Sequence, residues 1–134
     1  MRLSIKYLGI LGLILAMVVL AGCTAAKPSG DATNAANAAA DRIFDSFNTG
    51  NYSEFITNCS VPVQEGINQS QFNALRNNIV GQLGKYQSRS DPSASVVGIY
   101  NNFAYTCQFE NGTQQFTITM NSTDIYTVEG LHVT

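Results

Sequence analysis

Charge is scarce in this chain: 12% of its 134 residues are charged, with seven Lys and Arg, nine Asp and Glu, and one His. Two of the basic residues, Arg2 and Lys6, lie in the first 22 positions; the remainder keeps five basic against nine acidic residues, a net of −4. No basic stripe is left to follow a phosphate backbone, which excludes nucleic acid as a partner. The lone histidine, His132, alternates with Leu131 and Val133 and so points to solvent without a fixed partner. The sequence holds no Ser-His-Asp arrangement, no glycine-rich phosphate loop and no His/Asp/Glu cluster at metal-ligand spacing, so no cofactor or metal is expected. Asp41 and Asp45 are one helical turn apart, but their face lies opposite the apolar stripe, beside Arg42, and reads as solvated surface. An enzyme is not expected.

Long apolar runs are confined to the amino terminus. Arg2 and Lys6 precede an uncharged stretch from Tyr7 to Cys23, the charged and apolar regions of an export signal. The stretch is short of the roughly 20 apolar residues that span a bilayer. Its end, Leu20-Ala21-Gly22-Cys23, resembles the lipobox of exported prokaryotic lipoproteins. The resemblance implies cleavage before Cys23 and a diacylglycerol thioether on its sulfur. The expected organisation is a signal peptide over 1–22, a lipidated cysteine and flexible tether over 23–30, and one domain over 31–134. The tether is rich in Ala, Thr and Ser and contains Pro28-Ser29-Gly30. The expected location is the extracytoplasmic side of the cell membrane, held there by the lipid on Cys23.

Cys59 and Cys107 then remain. Two thiols outside the cytoplasm predict a disulfide, which by closing so long a loop would add roughly 4 kcal/mol; the alternative is two buried free thiols. Five Asn-x-Ser/Thr sequons, at Asn51, Asn58, Asn68, Asn111 and Asn121, fall in or near predicted turns and helix ends. They are candidate N-glycosylation sites, or the by-product of an Asn-rich surface.

Periodicity divides the body in two. Ala36, Ala40, Ile43, Phe44 and Phe47 share one face of a helix over Asp31–Asn48, ended by Thr49-Gly50. A short helix is predicted from Ser53, as N-cap, to about Cys59, with Val61-Pro62-Val63 ending it. A third, over Ser70–Leu83, carries Phe72, Leu75, Ile79, Val80 and Leu83 and stops at Gly84. From Lys85 the period becomes two. Phe103, Tyr105, Cys107 and Phe109, and then Phe116, Ile118 and Met120, alternate with Thr, Gln and Ala across an Asn111-Gly112 hairpin turn. Val96–Tyr100 before an Asn101-Asn102 turn, Ile125–Val133, and an edge at Lys85–Arg89 complete the sheet. The fold class is α+β: two or three helices on the apolar face of a curved antiparallel meander of four or five strands.

The stretch Asn48–Phe55, with its Gly50-Asn51-Tyr52 turn, and the junction Leu83-Gly84-Lys85 resemble a small family of exported domains of unknown function. The resemblance implies a nuclear-transport-factor-like, or cystatin-like, cone. Such a cone suggests two non-enzymatic roles. In one, Phe44, Phe47, Phe55, Tyr105, Phe109 and Phe116 line a pocket for a small apolar ligand. In the other, they fill the core, and the Thr/Gln face of the sheet docks an envelope protein or a glycan. The alternative is a ketosteroid-isomerase-like enzyme, for which no buried acid–base pair is evident.

Overall fold

The computed structural model describes residues 26–134. The signal and lipidation expectations, Cys23 included, lie outside the described residues. Four helices, α1 (Gly30–Thr49), α2 (Tyr52–Phe55), α3 (Val61–Gly66) and α4 (Gln69–Leu83), precede five strands, β1 (Tyr86–Arg89), β2 (Ser93–Val97), β3 (Tyr100–Phe109), β4 (Gly112–Asn121) and β5 (Val128–Val133). The helices pack on an open, five-stranded antiparallel sheet in an α+β arrangement. Strand β3 is long enough to pair with β1 through Tyr86–Arg89 and with β2 through Ser93–Val97, so these two strands form one interrupted edge. β4 and β5 follow in order.

The aromatic face of the sheet receives α1. Ala36, Ala40, Ile43, Phe44 and Phe47, the stripe predicted from spacing, are all buried. Along this contact Asn37 meets Tyr105, Asp41 meets Arg89 (the partner of Cys107), and Asn48 meets Tyr86 (the partner of Phe109). Helix α1 therefore runs parallel to β3, and its N-terminus lies toward the Tyr100 end of the sheet.

Three local readings are corrected. Val61-Pro62-Val63 does not end a helix; it starts α3, because proline is well suited to a first helical turn, where no N–H is required. The cap of α2 is Asn51 rather than Ser53, its Oδ1 accepting the Glu54 N–H at 3.3 Å. Asn101-Asn102 is not a turn but lies within β3; the chain reverses at Gly98-Ile99, between the paired Val97 and Tyr100, with Gly98 at φ 61°. A positive φ at the first of two loop residues suits a tight hairpin, and only glycine takes it without strain. In addition, Ile125 and Tyr126 belong to the β4–β5 loop rather than to the last strand.

The disulfide is also corrected: Cys59 and Cys107 are both free and buried. Cys59 bridges to Val128, which is opposite Met120, whereas Cys107 is opposite Gln114. Six residues of extended chain separate Gln114 from Met120, about 20 Å at the usual strand rise. A disulfide needs Cα atoms within about 7 Å. Burial, the largest influence on both thiols, pushes Cys59 up to about 11 and Cys107 up to about 12.

Gly84 sits at φ 78° and ψ −161°, a region open essentially to glycine, and a Cβ there would stand 2.8 Å from the Glu110 Cβ. Gly84→Ala is expected to cost about 2–4 kcal/mol in urea unfolding, a strain term plus a clash; a loss below 0.5 kcal/mol would contradict this backbone geometry. The thiols give a second expectation. A native chain at pH 8 should ignore a thiol reagent until denatured, and reductant should leave its melting temperature unchanged. Because the folded state holds thiol protons that the unfolded chain releases from about pH 9, stability should be intact below that pH and fall as it rises toward 11–12. The shift of unfolding midpoint between pH 8 and pH 10.5 measures it.

Candidate functional site

The six aromatics proposed to line a pocket do not line one. Phe44, Phe47, Phe55, Tyr105, Phe109 and Phe116 are each 0–2% exposed. Phe44 meets Phe116 at 5.2 Å and Tyr105 at 5.8 Å between ring centroids; Phe47 meets Phe116 at 5.7 Å; Phe55 meets Phe72 at 4.7 Å. Rings at these separations fill one another's space, as a domain of this size requires of its few large side chains. Alternation identified these residues as inward-facing. It could not say whether their volumes summed to a cavity or to a core.

The same face carries a polar seam. Tyr105 donates its hydroxyl to Asn37 Oδ1 at 2.9 Å, and the Arg89 guanidinium lies 5.3 Å over its ring. Arg89 holds Asp41 through two of its three guanidinium nitrogens, Nε to Oδ1 at 2.7 Å and Nη2 to Oδ2 at 3.2 Å. Burial first, with Asp41 and the Cys107 thiol adding to it against the opposing pull of Arg89, raises the Tyr105 phenol above its ordinary value. The phenol is therefore a neutral donor at any physiological pH. Asp41 and Asp45 are both exposed, as helical spacing predicts, but the pairing of Asp41 with Arg89 joins residues 48 apart and left no local signal. His132 is exposed beside Thr117 on the outer face of the sheet.

A shallow cleft of about 240 Å³ opens elsewhere, between the N-terminal half of α1 and the loops at Asn58 and Tyr126. Asp31, Asn34, Ala35, Ala38 and Arg42 project from successive turns of α1, so one face of the helix forms the floor and one wall. Asn58, at φ 60°, and Tyr126, 64% exposed, form the other wall. Among the described residues the ion pair found is Arg89–Asp41, so Arg42 carries its charge without a carboxylate partner, and its Nε is shielded from solvent with no hydrogen-bond acceptor. Its charge is felt at the Cys59 thiol, where it opposes the effect of burial. Unpaired donors of this kind are costly unless a ligand or water meets them. In sequence, Arg42 reads as one more residue of a solvated helix face; that it flanks Asn58 and Tyr126 depends on how the β4–β5 loop folds back.

The five sequon asparagines occupy turns and caps. Asn51 caps α2, and Asn68 caps α4 in a reciprocal box with Gln71. Asn58 takes the left-handed conformation, Asn111 is exposed in the β3–β4 turn, and Asn121 accepts from Thr123 and Asp124 while its Nδ2 donates to Glu129. The side chain that makes asparagine a good cap also explains its placement without any modification. Among the described residues there is no group of three or more His, Cys, Asp or Glu able to hold a metal, and no helix is long and apolar enough to cross a membrane.

No curated protein and no solved structure matches the chain. A family model does, over residues 40–125, from the last turns of α1 to the β4–β5 loop, and takes in both the Gly50-Asn51-Tyr52 turn and the Leu83-Gly84-Lys85 junction. Since the match spans well over half of the sequence, the chain belongs to the family described as protein of unknown function (DUF3887).

Proposed function

We propose that the mature chain is a non-enzymatic binding module, anchored by a lipid on Cys23 to the extracytoplasmic face of the cell membrane, with the nuclear-transport-factor-like cone as its fold. Its ligand, or a side chain of its protein partner, enters the cleft beside Arg42 and presents an anionic group. The Arg42 guanidinium, without a carboxylate partner among the described residues, in a cleft that it shares with Asn34, Asn58 and, about three turns of α1 away, Asp31, carries this reading. A volume of about 240 Å³ accommodates a single side chain or one sugar ring rather than a larger cofactor. Arg42 supplies the charge, and Asn34 and Asn58 supply neutral donors and acceptors. Against catalysis, the buried titratable groups among the described residues, the Cys59 and Cys107 thiols and the Tyr105 phenol, are held protonated by burial, and none of them lines the cleft.

The test is a backbone-amide NMR titration of the mature domain with N-acetylglutamate and, separately, N-acetylglucosamine. Shifts are expected at Asn34, Ala38, Arg42, Asn58 and Tyr126, with dissociation constants on the order of 1 mM. Arg42→Gln should weaken the carboxylate at least tenfold, the loss of one charged hydrogen bond. Shifts confined to Thr113, Gln115 and Thr117 would move the binding surface to the outer face of the sheet, and flat titrations in both would overturn the cleft.

A further inference from the structure

Of the six large apolar side chains exposed among the described residues, four gather at one end of the domain; the other two are Val61, at the start of α3, and Val133, at the end of β5. Val97 is 61% exposed, Ile99 58%, Tyr100 41% and Tyr126 64%. The first three form the β2–β3 hairpin tip, where Val97 pairs with Tyr100. The fourth lies on the β4–β5 loop, which is tied to that tip by the Ser122 N–H donating to the Ile99 carbonyl at 2.8 Å. Isolated exposed apolar residues are ordinary on any surface. Four gathered on two joined loops at one end are not explained by packing within the domain. The opposite end, at the β3–β4 turn, shows Glu110, Asn111 and Thr113 instead.

The chain enters the domain at the apolar end. Helix α1 runs parallel to β3, so its N-terminus is near Tyr100, and its first turns line the same cleft as Tyr126. Ser29, the N-cap of α1, is six residues from Cys23, a covalent reach of at most about 20 Å. We infer that the tip formed by Val97, Ile99, Tyr100 and Tyr126 rests in the interfacial layer of the bilayer that holds the lipid of Cys23. Two tyrosines and two aliphatic side chains suit that layer, where an apolar body and a polar tip are both satisfied. A tether so short keeps the tip within reach of the headgroups at all times, so a weak contact suffices to orient the domain. The β3–β4 turn then points away from the membrane. This inference rests on the lipid anchor proposed above.

The sequence contains no tryptophan, so a single introduced indole reports on one position. Full-length Ile99→Trp, Tyr126→Trp and Thr113→Trp, purified with their lipid, are reconstituted into phosphatidylcholine vesicles with and without dibrominated acyl chains. Bromolipid is expected to quench the indole by at least twofold at positions 99 and 126 and to leave position 113 unchanged, with a blue-shifted emission only for the first two. Vesicle flotation of the same samples separates the two ideas. Protein that floats but is not quenched at the tip, or is quenched equally at 113, overturns the orientation and leaves the anchor standing. Protein that stays at the bottom of the gradient overturns the anchor and the orientation with it.

Discussion

The packing of Phe44 and Phe47 against Phe116 is the contact on which the rest of the molecule depends. Both phenylalanines are fully buried, and Phe44 also reaches Tyr86 at 5.5 Å and Tyr105 at 5.8 Å. Placing these rings sets the helix axis along β3 and so decides which side chains of α1 meet which strand. Asn37, Asp41 and Asn48 then fall in step with Tyr105, Arg89 and Tyr86. The N-terminal turns of α1 bury Ala32, Ala36 and Ala39 in the core, and the cleft forms where their adjoining face meets Asn58 and Tyr126. The site proposed for binding is therefore a by-product of helix docking: one face of α1 enters the core, and the face beside it is left to line the cleft.

The connections hold this arrangement by satisfying chain ends. Gly50 closes α1 in the left-handed conformation, Thr49 and Asn51 organise the turn, and Arg76 on α4 donates to the carbonyls of Phe47 and Asn48 at 2.7 and 3.3 Å. A guanidinium at a helix C-terminus both bonds the free carbonyls and opposes the negative end of the dipole. Tyr52 then donates to the Ile67 carbonyl at 2.6 Å, joining α2 to the chain that enters α4. The two stretches that carry the family resemblance are thus junctions, and they lie side by side: Asn48 of the first exchanges two hydrogen bonds with the backbone of Tyr86, which follows the second. Their residues are constrained by backbone geometry and capping rather than by chemistry on a ligand.

Much of this was legible. The stripe of α1, the apolar alternation of β3 and β4 and the helix-then-sheet order all follow from spacing, because burial on one face imposes its period on the chain; the hairpin expected at Asn111-Gly112 is present, but its turn is Glu110-Asn111, since Gly112 already pairs with Phe109. Val61-Pro62-Val63 was misread because proline serves equally to end one helix and to begin another. Gly98-Ile99 was passed over in favour of Asn101-Asn102 because both pairs are turn-formers, and only the pairing with β4 shows that the asparagines lie within a strand. The supposed bridge between Cys59 and Cys107 came from counting thiols, which carries no information on distance; the registers of β3, β4 and β5 place them far apart.

The sequence alone determined the class of fold, the inward-facing residues and the location of most chain reversals, since each depends on neighbours within a turn or a strand. Tertiary structure decided whether six aromatic rings enclose a space or fill it, because that is a sum of volumes from four elements. It also decided that Arg42 stands without a partner among the described residues while Arg89 grips Asp41, and that Val97, Ile99, Tyr100 and Tyr126 emerge together at the end where α1 begins. Those facts join residues distant in the chain, and only the docking of α1 along β3 brings them together.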